Sequence, residues 1–150
     1  MNRRTSRQHK MHLIFALDFY RDKKENDINA MILHKEEVLD NYFLISNDAD
    51  DGNLKIQNLN DIEKLELKND FFDLCNKLEE IDEKIKNSVE GYSLDRIGKC
   101  EKAILRVSLY EILYKNKDEK AVYIDEAIEL SKIYCDESAY AFVNSILDKV

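Results

Sequence analysis

The side chains that could do catalytic or metal chemistry in this sequence are few. His9 and His12 can share one helix face and offer two ring nitrogens, but a zinc site needs a third protein ligand, and none follows nearby. The sequence also lacks a glycine-rich phosphate loop, a G-x-S-x-G turn and an H-E-x-x-H helix. We therefore expect a protein that is not an enzyme and that needs neither a metal nor a cofactor.

The acidic stretch 46–60 suggests calcium by its composition, but its spacing does not fit. When Gly52 is aligned with the glycine of an EF-hand loop, Ala49 falls on a ligand position. Asn58 then stands where a bidentate glutamate is required. We expect residues 46–60 to form a solvated loop.

Positive charge is concentrated at the start of the chain. Residues 1–24 carry a charge of +5, whereas the remaining 126 residues carry −13, which gives −8 for the whole chain. Because an acidic body repels polyanions, any nucleic-acid contact is expected on this basic arm. The basic residues at the start of the arm, and so the candidates for such a contact, are Arg3, Arg4, Arg7 and Lys10. The alternative is a charged tail that only keeps the protein soluble.

The cysteines and the hydropathy pattern bear on the compartment. Cys75, Cys100 and Cys135 are odd in number, widely separated and form no C-x-x-C pair, which favours reduced, buried thiols. No apolar run is long enough to span a bilayer. We expect a soluble, cytoplasmic protein.

The composition favours helices throughout. The 150 residues include no proline and three glycines, and 36% of them are charged. Sheets need frequent tight turns, so this composition indicates an all-α protein. No linker signal interrupts the chain, and we expect one domain covering residues 1–150.

Three helices are predicted in the first half of the chain. The first begins at Thr5 or Ser6, either of which can cap it, and ends near Tyr20. The second covers residues 27–45, and the third is one long helix over residues 62–87. Buried residues in the second are expected to be Met31, Val38, Leu39, Tyr42 and Phe43. The apolar residues of the third alternate spacings of four and three: Leu67, Phe71, Leu74, Leu78, Ile81 and Ile85.

The segment 102–114 is the most hydrophobic part of the chain. Its apolar side chains fall on nearly every face, which is typical of a helix inside a bundle. Arg106 and Glu111 interrupt it and must find partners there. Two amphipathic helices follow. Their buried stripes are Ile124, Ala127, Ile128 and Ser131 in the first, and Ala139, Phe142, Val143, Ile146, Leu147 and Val150 in the second.

Three ordered segments resemble the carboxy-terminal half of the NusB transcription antitermination factors. They read LDRIGKCEKAILRVSLYEIL at 94–113, VYIDEAIELSK at 122–132 and FVNSILD at 142–148, and the opening RRTSR at 3–7 is similar to the family's arginine-rich start. The resemblance implies an all-α bundle of about seven helices in two packed subdomains. It also implies a protein that binds boxA RNA together with the ribosomal protein NusE. With other Nus factors on RNA polymerase, that pair would suppress termination and support transcription of ribosomal RNA operons.

The resemblance also assigns roles to particular residues. It implies phosphate contacts for Arg3, Arg4 and Arg7. Phe142 would lie at the RNA surface, whereas Phe15 and Glu101 would face the ribosomal protein. Each has an alternative from the sequence pattern. Both aromatic residues also fit the core, and Glu101 also fits as a favourable charge in the first turn of its helix.

Two departures from the family pattern concern the RNA surface. Ala141 replaces a common lysine and Ser145 a common glycine. They leave a second hypothesis, an interaction module that binds the ribosomal protein without useful RNA affinity. A helper domain of an RNA cytosine methyltransferase is disfavoured, because the sequence stops at Val150 without a cofactor-binding half. A homodimer that hides the basic arm is a further alternative.

Overall fold

The computed structural model describes residues 1–20, 28–45, 58–89 and 93–150. Within these ranges the chain forms eight α-helices, short 3₁₀ turns and no strand, so the predicted all-α class is confirmed. The chain divides into two compact units. Unit 1, Met1–Asn76, contains α1 (Arg3–Leu17), α2 (Ile28–Ile32), α3 (Lys35–Ile45) and α4 (Asp61–Asn76). Unit 2, Lys77–Val150, contains α5 (Leu78–Ser88), α6 (Lys99–Tyr114), α7 (Lys120–Tyr134) and α8 (Ala139–Asp148).

The first helix begins earlier than predicted. Asn2 is its N-cap, and the side-chain oxygen of Asn2 accepts a hydrogen bond from the Thr5 backbone N–H at 2.7 Å. The predicted caps, Thr5 and Ser6, were therefore wrong, because Asn2 already caps the helix three residues before Thr5. The helix continues as a 3₁₀ turn over Asp18–Tyr20, which agrees with the predicted end.

The predicted helix over 27–45 is broken into α2 and α3. The backbone N–H of His34 donates to the Met31 carbonyl at 3.1 Å, which closes a turn between the two helices. α3 then starts with Glu36 and Glu37 in its first turn, where negative charge is favourable. The expected burial of Met31, Val38 and Leu39 is confirmed, whereas Tyr42 and Phe43 are half-buried.

The predicted long helix over 62–87 also breaks in two, at Lys77. All six residues of the predicted seam are buried, as expected. The first three lie on α4 in unit 1 and the last three on α5 in unit 2, so one continuous helix was wrong. Asn60 begins α4 as a reciprocal cap. Its side chain accepts from the Glu63 backbone N–H at 2.8 Å, and its own N–H donates to the Glu63 carboxylate at 3.2 Å.

The core of unit 2 is built on α6, which packs against α5, α7 and α8. Every residue from Lys102 to Ile112 is buried, which confirms the prediction for this helix. Arg106 finds its partner in Asp82 of α5. The guanidinium Nε and Nη2 donate to the two carboxylate oxygens at 2.9 and 2.8 Å. Since both side chains are buried, this bidentate pair ties α5 to α6.

The stripes predicted for the last two helices are largely buried. In α7 the buried residues are Tyr123, Ile124, Ala127, Leu130 and Ser131, and Ile128 is half-buried. In α8 they are Ala139, Val143, Ile146 and Leu147, and Phe142 and Val150 are half-buried.

The cysteines differ from expectation. Cys100 and Cys135 form a disulfide with their Cα atoms 6.1 Å apart, whereas Cys75 is buried and lies outside the disulfide. The prediction of three reduced thiols was wrong for this pair, because packing α7 on α6 brings together two residues that lie 35 positions apart.

Residues 46–57 of the predicted acidic loop lie outside the described residues. Among the helices that the structure does describe, none has the length and apolar character needed to cross a membrane.

Candidate nucleic-acid interface

Two of the four predicted phosphate-binding residues lie open to solvent at the start of α1. Arg3 and Arg4 occupy its first turn and are exposed. The positive charges of Arg3 and Arg4 lie at the positive end of the helix dipole, which is unfavourable. No acidic residue in that turn offsets them. The start of α1 therefore presents two exposed, positively charged side chains.

The other two predicted residues, Arg7 and Lys10, are buried. Each is only 5% exposed, and the Lys10 ammonium lies 3.7 Å from a carboxylate oxygen of Asp70 on α4. A signal for this burial existed in the sequence, because Arg7 and Lys10 precede Ile14 by seven and four residues and share its buried helix face. The RNA role of Arg3, Arg4, Arg7 and Lys10 stays a prediction. The first two residues are exposed and the last two are buried.

The carboxylate of Glu63 binds the terminal ammonium of Met1, close to the exposed arginines along the chain. Hydrogen bonding to this ammonium, and then to the Asn60 backbone N–H, lowers the pKa of Glu63. The start of α1 is thereby tied to the start of α4 within unit 1. This contact restrains the segment that presents Arg3 and Arg4.

His9 does not add positive charge to this surface at neutral pH. Its side chain is completely buried, and Nδ1 lies 2.6 Å from the Tyr42 hydroxyl. Burial, and secondarily the charge of His12, lower the pKa of His9 to about 4. Within the described residues, no group of three potential ligands could hold a metal ion.

The depressed pKa of His9 predicts a pH dependence of stability. Between pH 6.5 and about 4 the unfolded chain binds more protons at this residue than the folded chain does. Stability therefore falls as the pH falls through that window, by roughly 1–3 kcal/mol from His9. The free energy of unfolding, measured with urea at several pH values across this window, should change less with pH for His9→Gln than for the unmodified protein. Equal slopes would contradict a neutral, buried His9.

Phe15, predicted to face a protein partner, is half-buried in unit 1. Its ring meets that of Phe19 edge to face, with centroids 5.3 Å apart, and Phe19 is 63% exposed. The two rings form an aromatic patch, of which the sequence analysis singles out Phe15 but not Phe19. The four-residue spacing between them was the signal that could have indicated the contact.

In unit 2, Phe142 and Glu101 line one surface pocket of about 290 Å³. The family resemblance assigns Phe142 to the RNA surface and Glu101 to the ribosomal protein. The other lining residues are Arg96, Ile97, Gly98, Ser138 and Ala139. Arg96 is an exposed cation that the sequence reasoning did not single out. The pocket therefore offers an aromatic ring, a carboxylate and a guanidinium to one ligand surface.

The first turn of α6 positions Glu101 in this pocket. Gly98 is the N-cap, and the Glu101 carboxylate folds back over it into the space that a Cβ atom of residue 98 would occupy. In α8, which supplies Phe142, the Ser145 hydroxyl donates to the Phe142 carbonyl at 2.8 Å. Ser145 thus bonds within its own helix, and Ala141 beside Phe142 is exposed.

The whole chain is similar to a known family. The NusB family model matches residues 4–150. The transcription antitermination protein NusB of Acetivibrio thermocellus is 35% identical over 150 residues, covering 100% of this chain and 88% of the relative. The protein of the same name from Carboxydothermus hydrogenoformans is 30% identical, covering 100% and 92%.

Two solved structures share the fold. T. maritima NusB superposes with a TM-score of 0.72 at 28% identity, covering 99% of this chain and 89% of that one. A chain in the crystal structure of a plectonemic RNA supercoil gives a TM-score of 0.70 at 22% identity, covering 98% and 91%.

Proposed function

Because this chain belongs to the NusB family of transcription antitermination proteins, we propose that it binds boxA RNA together with the ribosomal protein NusE. In this proposal it joins other Nus factors on RNA polymerase in the cytoplasm and supports transcription of ribosomal RNA operons. The protein acts by assembly and not by catalysis.

The observation that carries the RNA part of the proposal is the exposed pair Arg3 and Arg4. A chain with −13 outside its first 24 residues repels a polyanion over most of its surface. Two accessible guanidinium groups at one helix start supply the local positive charge that phosphates need. Phe142 offers a half-buried ring against which a base can stack.

The protein part of the proposal rests on the patch of Phe15 and Phe19 and on Glu101. Aromatic side chains with an exposed edge are the common anchors of protein interfaces. Glu101 adds a carboxylate that suits a basic partner such as a ribosomal protein. NusE binding through these residues extends the surface available to one RNA.

Salt dependence distinguishes how many basic residues meet phosphates. With about −0.7 in log K per log salt for each contact on single-stranded RNA, Arg3 and Arg4 alone predict a slope of about −1.4. All four residues would give about −2.8. We expect the shallower slope, about −1.4, for boxA RNA, because Arg7 and Lys10 are buried.

The matched variants are Arg3→Ala/Arg4→Ala and Lys84→Ala/Lys86→Ala, which remove the same charge from different exposed sites. The arginine variant should bind boxA RNA more weakly and with a salt slope near zero, because the contacts removed are to phosphates, and the lysine variant should keep both the affinity and the slope. Equal losses in the two variants would refute a specific role for the arginines.

A second candidate is a module that binds NusE without useful RNA affinity. It is favoured by the acidic charge of the chain and by Ala141, which leaves no cation next to Phe142 on that turn of α8. Tight NusE binding with no boxA preference, with or without NusE, would establish this candidate instead.

A further inference from the structure

The disulfide of Cys100 and Cys135 joins two segments that each contribute residues to the wall of the Glu101–Phe142 pocket. Cys100 lies in the first turn of α6, between Gly98 and Glu101. Cys135 caps the end of α7 and is followed by Ser138 and Ala139, which also line the pocket. The bond therefore links the wall that bears Glu101 to the turn that leads into Phe142.

The backbone geometry at Cys100 and Cys135 is compatible with both the disulfide and the two reduced thiols. The Cα separation of 6.1 Å lies within the usual range for disulfides, so bond formation needs no rearrangement of the helices. Both cysteines are half-buried, whereas Cys75 is completely buried. A dithiol in solution thus has access to the pair and not to the third cysteine.

We infer that Cys100 and Cys135 form a reversible thiol–disulfide site that controls binding at the Glu101–Phe142 pocket. A thiolate of a dithiol reductant attacks Sγ of Cys135, breaks the disulfide and releases Cys100 as a thiolate, which takes up a proton. The second thiol of the reductant then attacks the mixed disulfide and releases Cys135. Two electrons and two protons pass to the protein, and the reductant leaves as a disulfide.

The consequence for the pocket follows from what the bond restrains. In the oxidised protein the turn between α7 and α8 is held against the first turn of α6. In the reduced protein only non-covalent contacts hold it, so the positions of Glu101 and Phe142 vary relative to each other. The effect on ligand affinity rests on the proposed function, whereas the restraint itself does not.

The first experiment measures the bond and the restraint without any ligand. The full chain is equilibrated with oxidised and reduced dithiothreitol, and differential alkylation with mass spectrometry reports the state of each cysteine. We expect Cys100 and Cys135 to change together and reversibly, and amide exchange over 136–142 to be about tenfold or more faster when they are reduced. The Cys75→Ser variant should behave like the unmodified protein, whereas Cys100→Ser should exchange fast in either buffer.

Two results would overturn the inference at this stage. One is a pair that stays reduced in the oxidising buffer or oxidised in the reducing buffer. The other is amide exchange that is the same in both states, which would mean that the bond does not restrain the wall. Cys135→Ser, as a second variant, guards against a fault of folding peculiar to Cys100→Ser.

The second experiment measures the affinity for NusE and boxA RNA in the two states. Because the oxidised pocket is preorganised, we expect it to bind about fivefold or more tightly, and Cys75→Ser should retain the difference. If the protein binds with the same affinity in the oxidised and reduced states, the cysteine pair does not control binding, and the inference is overturned. Absence of binding in both states contradicts the proposed function, and the exchange data then decide whether the pair restrains the wall.

Discussion

Replacing Asp82 by alanine should lower the free energy of unfolding by about 3–5 kcal/mol. The reason is the guanidinium of Arg106, which is 1% exposed and donates two hydrogen bonds to the Asp82 carboxylate. Without that carboxylate a buried positive charge loses its bidentate partner. Chemical denaturation monitored by circular dichroism measures the change directly.

The neighbouring residue provides a matched control for this prediction. Glu83 lies on the same helix and is exposed, so Glu83→Ala should change stability by no more than about 0.5 kcal/mol. The double variant Asp82→Ala/Arg106→Met should recover much of the loss, because it removes the buried charge together with its partner. A small effect of Asp82→Ala alone would mean that the pair is not the bond that ties α5 to α6.

The second large effect is expected at Leu67 of α4. Leu67→Ala should lower the free energy of unfolding by about 2–5 kcal/mol, because it removes a buried side chain and leaves a cavity. Leu65 lies two residues earlier on the same helix and is 57% exposed, against 1% for Leu67. Denaturation of Leu65→Ala should therefore give a change within about 0.5 kcal/mol. Similar losses for both variants would contradict the assignment of the buried face.

Burial was the feature most accessible from the amino-acid sequence. The seam from Leu67 to Ile85 and the all-apolar helix around Leu109 were both identified correctly. Hydrophobic periodicity is a local property, and a helix must turn its apolar residues toward whatever core exists. The same reasoning required a partner for Arg106, although it could not name Asp82.

Helix boundaries were less accessible. The predicted single helices over 27–45 and 62–87 each break, at His34 and at Lys77. Neither break contains a proline or glycine, so local sequence had no strong stop signal to offer. The break at Lys77 falls at the boundary of the two units, which depends on long-range packing.

The candidate site was predictable in part. Arg3 and Arg4 are exposed, as a phosphate-binding role requires, but Arg7 and Lys10 are buried. Counting charge along the chain cannot make this distinction, because exposure depends on where a helix face packs. The pocket that unites Glu101 with Phe142 was not predicted, since these residues come from the first turn of α6 and from α8.

The sequence by itself determined the all-α class, the buried faces of the main helices and, through its ordered motifs, the family. These properties follow from residue type and short-range spacing, which have the same effect in every helix. Only the tertiary structure decided which basic residues face solvent, that Cys100 meets Cys135, and that Glu101 and Phe142 share a pocket. Each of these depends on which distant segments lie side by side, and that is settled by the packing of whole helices against one another.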